Sequence, residues 1–177
     1  MLSPITEDDV AALQALYEAT PGYFQRVEGH PPGPGAAHLK LTTLPPDTSA
    51  DAKYGFGWLG DDDNLLAFAD VIRGYPSTEM AYIGLLMVRG ARQHEGLGSR
   101  FHAALLDEVN HWAEVDRIQL DIVQTNRDAA EPFWAAMGYE PTGVIKPYTS
   151  GRVSTTCALW ERPVHPAEPS RNSRITG

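Results

Sequence analysis

The stretch that most constrains this chain runs from Tyr82 to Phe101, YIGLLMVRGARQHEGLGSRF. It opens as an apolar strand, crosses a basic, glycine-bearing loop and enters a helix. From Gly98 on, Phe101, Ala104, Leu105, Val109 and Trp112 form an apolar stripe at helical spacing. Gln93 to Gly98 therefore form the loop at a helix start, where backbone N–H groups have no intrahelical partner and the helix dipole favours an anion. Gly96 and Gly98 permit positive φ and close approach of a ligand, and Arg92 and Arg100 add positive charge. No Lys-Ser or Lys-Thr follows the glycines, so the turn is not a Walker loop.

A rival motif, Gly55-Phe56-Gly57-Trp58-Leu59-Gly60, has the dinucleotide spacing G-x-G-x-x-G. Its context rejects it, because Asp61-Asp62-Asp63-Asn64 follows where a helix should start. Three carboxylates repel a pyrophosphate, and the run reads as a hairpin turn. A meander is the better reading, with strands at about residues 54–59, 65–73 and 80–88 and a turn at Gly74-Tyr75-Pro76-Ser77. The unbroken apolar run 83–88 predicts a central strand buried on both faces. Gly84 inside it marks a bulge or a close backbone approach.

Before the meander, residues 1–5 read as a short strand and Thr6-Glu7-Asp8-Asp9 as a capping box. Val10, Leu13, Leu16 and Tyr17 then predict a helix to about Ala19. Residues 21–50 are mixed. Pro21-Gly22-Tyr23-Phe24 opens a short helix, Gly29-His30-Pro31-Pro32-Gly33-Pro34-Gly35 cannot hold regular structure, and residues 36–44 suit a second short helix. The segment is either a mobile surface loop or a binding mouth, with Tyr23, Phe24 and His30 as the candidate substrate-binding residues.

Composition limits the remaining options. A chain of 177 residues suits one domain able to bury roughly 70% of its unfolded surface. A net charge of −9 argues against nucleic-acid binding, which rests on Lys and Arg neutralising phosphate, and it is compatible with a cationic small molecule. The single cysteine, Cys157, allows no intrachain disulfide and reads as a small buried hydrophobe. Neither a signal peptide nor a run long enough to span a membrane is legible, so a cytoplasmic protein is expected. The histidines show no metal-ligand spacing, and no metal is expected.

Gln93-His94-Glu95-Gly96-Leu97-Gly98 resembles Q/R-x-x-G-x-G/A, the acetyl-CoA pyrophosphate loop of the GNAT superfamily of acyltransferases. After a predicted strand at residues 118–123, Asn126-Arg127-Asp128-Ala129-Ala130-Glu131-Pro132-Phe133-Trp134-Ala135-Ala136-Met137-Gly138-Tyr139 is similar to a second family block. Pro132 is expected in a first helical turn, which puts that helix at residues 131–137. The resemblance implies an α/β (α+β) fold, with a mixed, mostly antiparallel sheet of about six or seven strands, a splayed pair, and flanking helices. It covers residues 1–162, and residues 163–177 read as a tail that is disordered or ordered by a partner. A closing hairpin is expected, with residues 144–148 and 153–160 flanking Thr149-Ser150-Gly151-Arg152.

What the resemblance implies for function is direct transfer of an acetyl group from acetyl-CoA to an amine, without an acyl-enzyme. Pantetheine would lie between the strands equivalent to 85–88 and 118–123, against Leu86, Met87 and Val88. The pyrophosphate would be held by N–H groups of His94, Glu95, Gly96, Leu97, Gly98 and Ser99, with Gln93 and Arg100 beside them. Asn126, Phe133 and Trp134 would border the other side. His94 is expected to act through its backbone alone. Trp134 stands where the family usually carries a Tyr that protonates the leaving thiolate, and an indole cannot replace it. For the base, Asp70, Glu79 and Tyr82 are the candidates, each with a structural alternative. The expected acceptor is a small-molecule amine. A protein or peptide acceptor is the alternative, as is a non-catalytic acyl-CoA sensor, and the protein is expected as a monomer or homodimer.

Overall fold

Alternating apolar residues and turn-forming breaks set the strands, and helical stripes set the helices between them. The computed structural model describes residues 1–62 and 64–165. Among these, in chain order, are β1 (Leu2–Pro4), α1 (Val10–Glu18), α2 (Pro21–Val27), α3 (Ala36–Thr42), β2 (Lys53–Leu59), β3 (Leu65–Arg73) and β4 (Met80–Val88). Then follow α4 (Leu97–Val109), β5 (Arg117–Val123), α5 (Arg127–Ala136), β6 (Glu140–Ser150) and β7 (Val153–Pro163). The strands form one mixed sheet in the order β1-β2-β3-β4-β5-β7-β6. Neighbouring strands pair antiparallel except β4 and β5, which pair in parallel with α4 as their crossover.

Two layers of helices cover the sheet. On one face, Phe101 and Leu105 of α4 and Trp134 of α5 pack on Ile83, Leu120 and Ile122. On the other, Leu13, Leu16 and Tyr17 of α1, Phe24 of α2 and Ala37 of α3 pack on Phe68, Leu85 and Met87. Burying each such side chain contributes about 1.5–3 kcal/mol relative to exposure. At the start of α1 the Thr6 N–H donates to Asp9 Oδ2 at 2.9 Å, and the Asp8 N–H donates to Thr6 Oγ1 at 3.3 Å. The glycines of the rejected dinucleotide motif have a packing role. A Cβ on Gly55 would lie 2.5 Å from the Ile5 carbonyl oxygen, and one on Gly57 would lie 2.6 Å from the Ile5 side chain.

Gly84 is both a bulge and a close approach. Asp70 of β3 pairs with Leu85 and Val71 with Ile83, so Gly84 is the extra residue on β4. A Cβ there would stand 2.7 Å from Asp70 Oδ2. Just before the bulge, the β4–β5 ladder stops at the pair Ile83–Leu120. Beyond that point the two strands part.

Several expectations need correction. β4 is central in the sheet, yet within 83–88 Gly84, Leu86 and Val88 are only half-buried, and all three line the gap left where β5 parts from it. The helix expected at 131–137 starts at Arg127, which places Pro132 inside it. The hydrogen bond Pro132 cannot donate would have gone to Asp128, an exposed residue whose carbonyl water can satisfy. α4 ends at Val109, so Trp112 joins the core from the following loop, 5% exposed. The closing hairpin is tighter than expected, with Ser150 paired to Val153 across Gly151 and Arg152. β7 reaches Pro163, and Val164 is buried in the core, beyond the expected boundary at residue 162. Residues 166–177 of the expected tail lie outside the described residues.

Candidate active site

The parting of β4 and β5 opens a wedge-shaped cavity of about 620 Å³. Its walls are residues 83–88 of β4 and 120–123 of β5. One end is closed by the loop before α4 and the start of α5, the other by Thr20, Tyr23, Arg26 and Val27. Past Ile83 the β5-facing edge of β4 has no strand partner. Such an edge can pair with amide groups of an extended ligand.

The loop end is built to receive an anion. Gly96 caps α4 with φ +75°, a conformation Gly adopts without strain. Arg100 is the first residue of the helix whose N–H is taken, by the Gly96 carbonyl at 3.2 Å. The N–H groups before it belong to the free first turn of a helix. His94 also has a positive φ, +64°. The Gln93 amide donates to the Val88 carbonyl at 3.0 Å, which ties the loop to the end of β4. A Cβ on Gly98 would stand 3.1 Å from the Phe133 ring, so α4 and α5 approach closely here.

Of the residues expected at a cofactor, Leu86, Met87, Val88, Gln93, His94, Gly96, Gly98, Ser99, Asn126, Phe133 and Trp134 line the cavity. Glu95, Leu97 and Arg100 do not. Glu95 pairs with Arg92 at 2.7 Å, Leu97 is buried in the protein, and Arg100 is exposed. Trp134 is packed with His102 and Tyr139, at ring separations of 5.8 and 4.9 Å. His102 Nε2 and the Tyr139 hydroxyl are hydrogen-bonded at 3.1 Å, and burial pushes the His102 pKa down to about 4. The imidazole is therefore neutral at pH 7.

The residues expected near the acceptor separate. Tyr23 lines the cavity, whereas Phe24 turns into the core against Tyr17, with ring centroids 4.8 Å apart. His30 lies under the hairpin turn and donates from Nδ1 to the Pro31 carbonyl at 2.7 Å. α2 forms a roof fixed at three points. Arg26 Nε donates to Asn126 Oδ1 at 2.6 Å, the Tyr148 hydroxyl to the Val27 carbonyl at 3.0 Å, and the Arg152 N–H to the Glu28 carbonyl at 2.7 Å.

The three candidate bases also lie apart. Glu79 is exposed at the far end of β4, where its carbonyl accepts from the Asp116 N–H. Asp70 is 3% exposed and held from both sides, by Lys53 Nζ on Oδ1 at 2.6 Å and Lys40 Nζ near Oδ2 at 3.7 Å. Burial pushes the Lys40 ammonium below its usual range, and Asp70 opposes that shift. The Tyr82 hydroxyl donates to Asp121 Oδ2 at 2.8 Å. Burial, and then Asp121, push its phenol well above the usual range, so Tyr82 is a donor at neutral pH.

Asp121 was missed in the sequence, although a lone acid in the apolar strand Arg117–Val123 is a legible signal. It lines the cavity immediately beyond the last β4–β5 pair. Lys146 of β6 also donates to its Oδ2, at 2.9 Å. Cys157 lies beside it but outside the cavity lining, with its thiol pushed up by burial and by Asp121. Among the described residues, no group of three or more His, Cys, Asp or Glu could hold a metal ion.

The family described as acetyltransferase (GNAT) matches residues 13–139 of the chain. Among solved structures, an acetyltransferase from Thermus thermophilus is 26% identical, with a TM-score of 0.69, 92% of this chain covered and 96% of that one. The ribosomal-protein-S18-alanine N-acetyltransferase from Escherichia coli is 17% identical, with a TM-score of 0.67 and coverage of 96% and 97%. An aminoglycoside 6'-N-acetyltransferase complexed with coenzyme A is 16% identical, with a TM-score of 0.66 and coverage of 96% and 99%. No curated protein matches in sequence.

Proposed function

The chain belongs to the GNAT acetyltransferase family and is an acyltransferase, and on that premise we propose that it moves an acetyl group from acetyl-CoA to a primary amine of a small molecule. The residues present fit an acyl-CoA. The unpaired edge of β4 at Leu86, Met87 and Val88 suits pantetheine amides, and the free first turn of α4 suits the pyrophosphate. When bound, acetyl-CoA supplies an activated thioester.

The chain's own residues position and enclose. A β4 N–H near Met87 would stabilise the oxyanion, and the wedge would hold the amine and the carbonyl carbon together. Trp134 packs the channel and donates no proton to the leaving group. The nearby Tyr139 hydroxyl is engaged by His102. An acid is dispensable in this reading, because a CoA thiol resembles a free Cys, with a pKa of about 8.5. Cys157 is 6% exposed and outside the cavity, which supports direct attack without an acyl-enzyme. The reading places the protein in the cytoplasm, where acetyl-CoA is available. In the structure, no helix of the described residues is long and apolar enough to cross a membrane.

The observation that carries the choice of a small acceptor is the fixed roof. The ties from α2 to Asn126 and to the β6–β7 hairpin cover the face of the wedge that an extended peptide would need. A non-catalytic acyl-CoA sensor is the second reading, favoured by Trp134 in place of the usual Tyr. Thiol release from acetyl-CoA, followed across small amines and peptide N-termini, tests both. Turnover on small amines is expected. Turnover confined to peptides would reassign the acceptor, and tight acetyl-CoA binding without any turnover would favour the sensor.

A further inference from the structure

We propose that Asp121 seats the acceptor's ammonium group through its Oδ1, with Tyr82 and Lys146 holding Oδ2 and an apolar slot receiving the arm that carries the amine. The proposal rests on the acetyltransfer reading and names the acceptor end of the same wedge.

Three observations meet at this carboxylate. Its Oδ2 is saturated by two donors, the Tyr82 hydroxyl at 2.8 Å and Lys146 Nζ at 2.9 Å. Its Oδ1 is buried and has no N–H or O–H donor among the described residues; the Cys157 thiol, a weak donor, is the polar group beside the carboxylate. A buried carboxylate oxygen without a donor is costly, and a ligand N–H is the donor that would remove the cost. Finally, Asp121 lines the wedge just past Leu120, where β4 and β5 part beside Gly84. An amine on Oδ1 would therefore sit at the wedge's narrow end, close to the β4 edge. Asp70, the other buried aspartate, has lysines on both oxygens and does not line the cavity.

The surroundings describe the arm. Tyr23, Val27 and Val123 line the cavity on the same side, and with Cys157 and Tyr148 they form one apolar cluster. This favours a primary amine on an unbranched aliphatic or benzylic arm. Lys146 is 46% exposed, so water screens its charge, whereas Asp121 is 18% exposed and presents its free oxygen to the interior.

The test uses the full chain saturated with coenzyme A, which carries no acetyl group, so binding is read without turnover. n-Butylammonium is titrated by calorimetry, with n-butanol as the neutral control. The wild-type protein is expected to bind the ammonium saturably and the alcohol not at all. Asp121→Asn should weaken ammonium binding at least about tenfold, the size of one charge-assisted hydrogen bond. Lys146→Met takes one of the two donors from Oδ2 but leaves the carboxylate charge, so it should weaken binding by less than Asp121→Asn does. Three outcomes overturn the proposal: ammonium and alcohol binding alike, Asp121→Asn binding like wild type, or equal loss in both variants, which would make the cluster a structural tie. Absence of ammonium binding in wild type that binds coenzyme A also overturns it. Failure to bind coenzyme A at all would instead defeat the acetyltransfer reading itself.

Discussion

Asp70 and Asp121 sit on the two strands that flank β4 and point to the same face of the sheet, since their neighbours Ala69, Val71, Leu120 and Ile122 all pack on the opposite one. They differ in what reaches them. Lys53 and Lys40 take both oxygens of Asp70, and Gly84 covers it so closely that a methyl group would clash. Tyr82 and Lys146 both take the same oxygen of Asp121 and leave the other buried without an N–H or O–H donor beside the wedge. One residue type thus serves as a closed structural pair on β3 and as an open site on β5. Donor count at each oxygen separates the roles, and burial alone would not.

The comparison predicts opposite losses. The largest effect is expected from Asp70→Asn, which leaves the buried Lys53 ammonium and the half-buried Lys40 without their counter-charge and should cost about 3–5 kcal/mol of stability. Denaturant unfolding measures it. A cost under about 1 kcal/mol would mean that the lysines reach water or another partner, and Asp70 would lose its structural role. Next is Gly84→Ala, whose Cβ would press on Asp70 Oδ2 at 2.7 Å. A loss of about 1–3 kcal/mol is expected from overpacking, with weaker coenzyme A binding because the bulge sets the wedge. Unchanged melting and binding would show that Asp70 yields, and the wall between the two sites would prove soft. The smallest effect on stability belongs to Tyr82→Phe, about 1 kcal/mol for one lost hydrogen bond. Its kcat/KM should nevertheless fall about tenfold, because Asp121 loses one of the two groups that orient it. A rate near wild type would break the contrast and leave Lys146 as the only group that matters there.

Much of the architecture was legible because it is local. The capping box at Thr6 and Asp9, the bounds of β3 and β4, and the loop-to-helix turn at Gly96 follow from spacings of a few residues. Gly84 announced a backbone event, although not that the event was contact with Asp70. Pro132 misled because helix rules assign it to a first turn. In the fold an exposed carbonyl bears the missing hydrogen bond, so the helix begins at Arg127, ahead of the expected first turn. The two-sided burial expected for β4 failed for a related reason. An apolar run looks the same whether it faces protein or a ligand-sized gap.

The amino-acid order alone determined where chain segments become strands and helices, and that one loop offers free N–H groups to an anion. Those properties depend on neighbours a few positions apart. The tertiary structure decided which acid opens to the wedge. Tyr82 and Lys146 lie 39 and 25 residues from Asp121 and meet it only through the parallel β4–β5 pairing and the returning hairpin. Whether a carboxylate oxygen is satisfied depends on donors brought from such distances, and no local pattern encodes it.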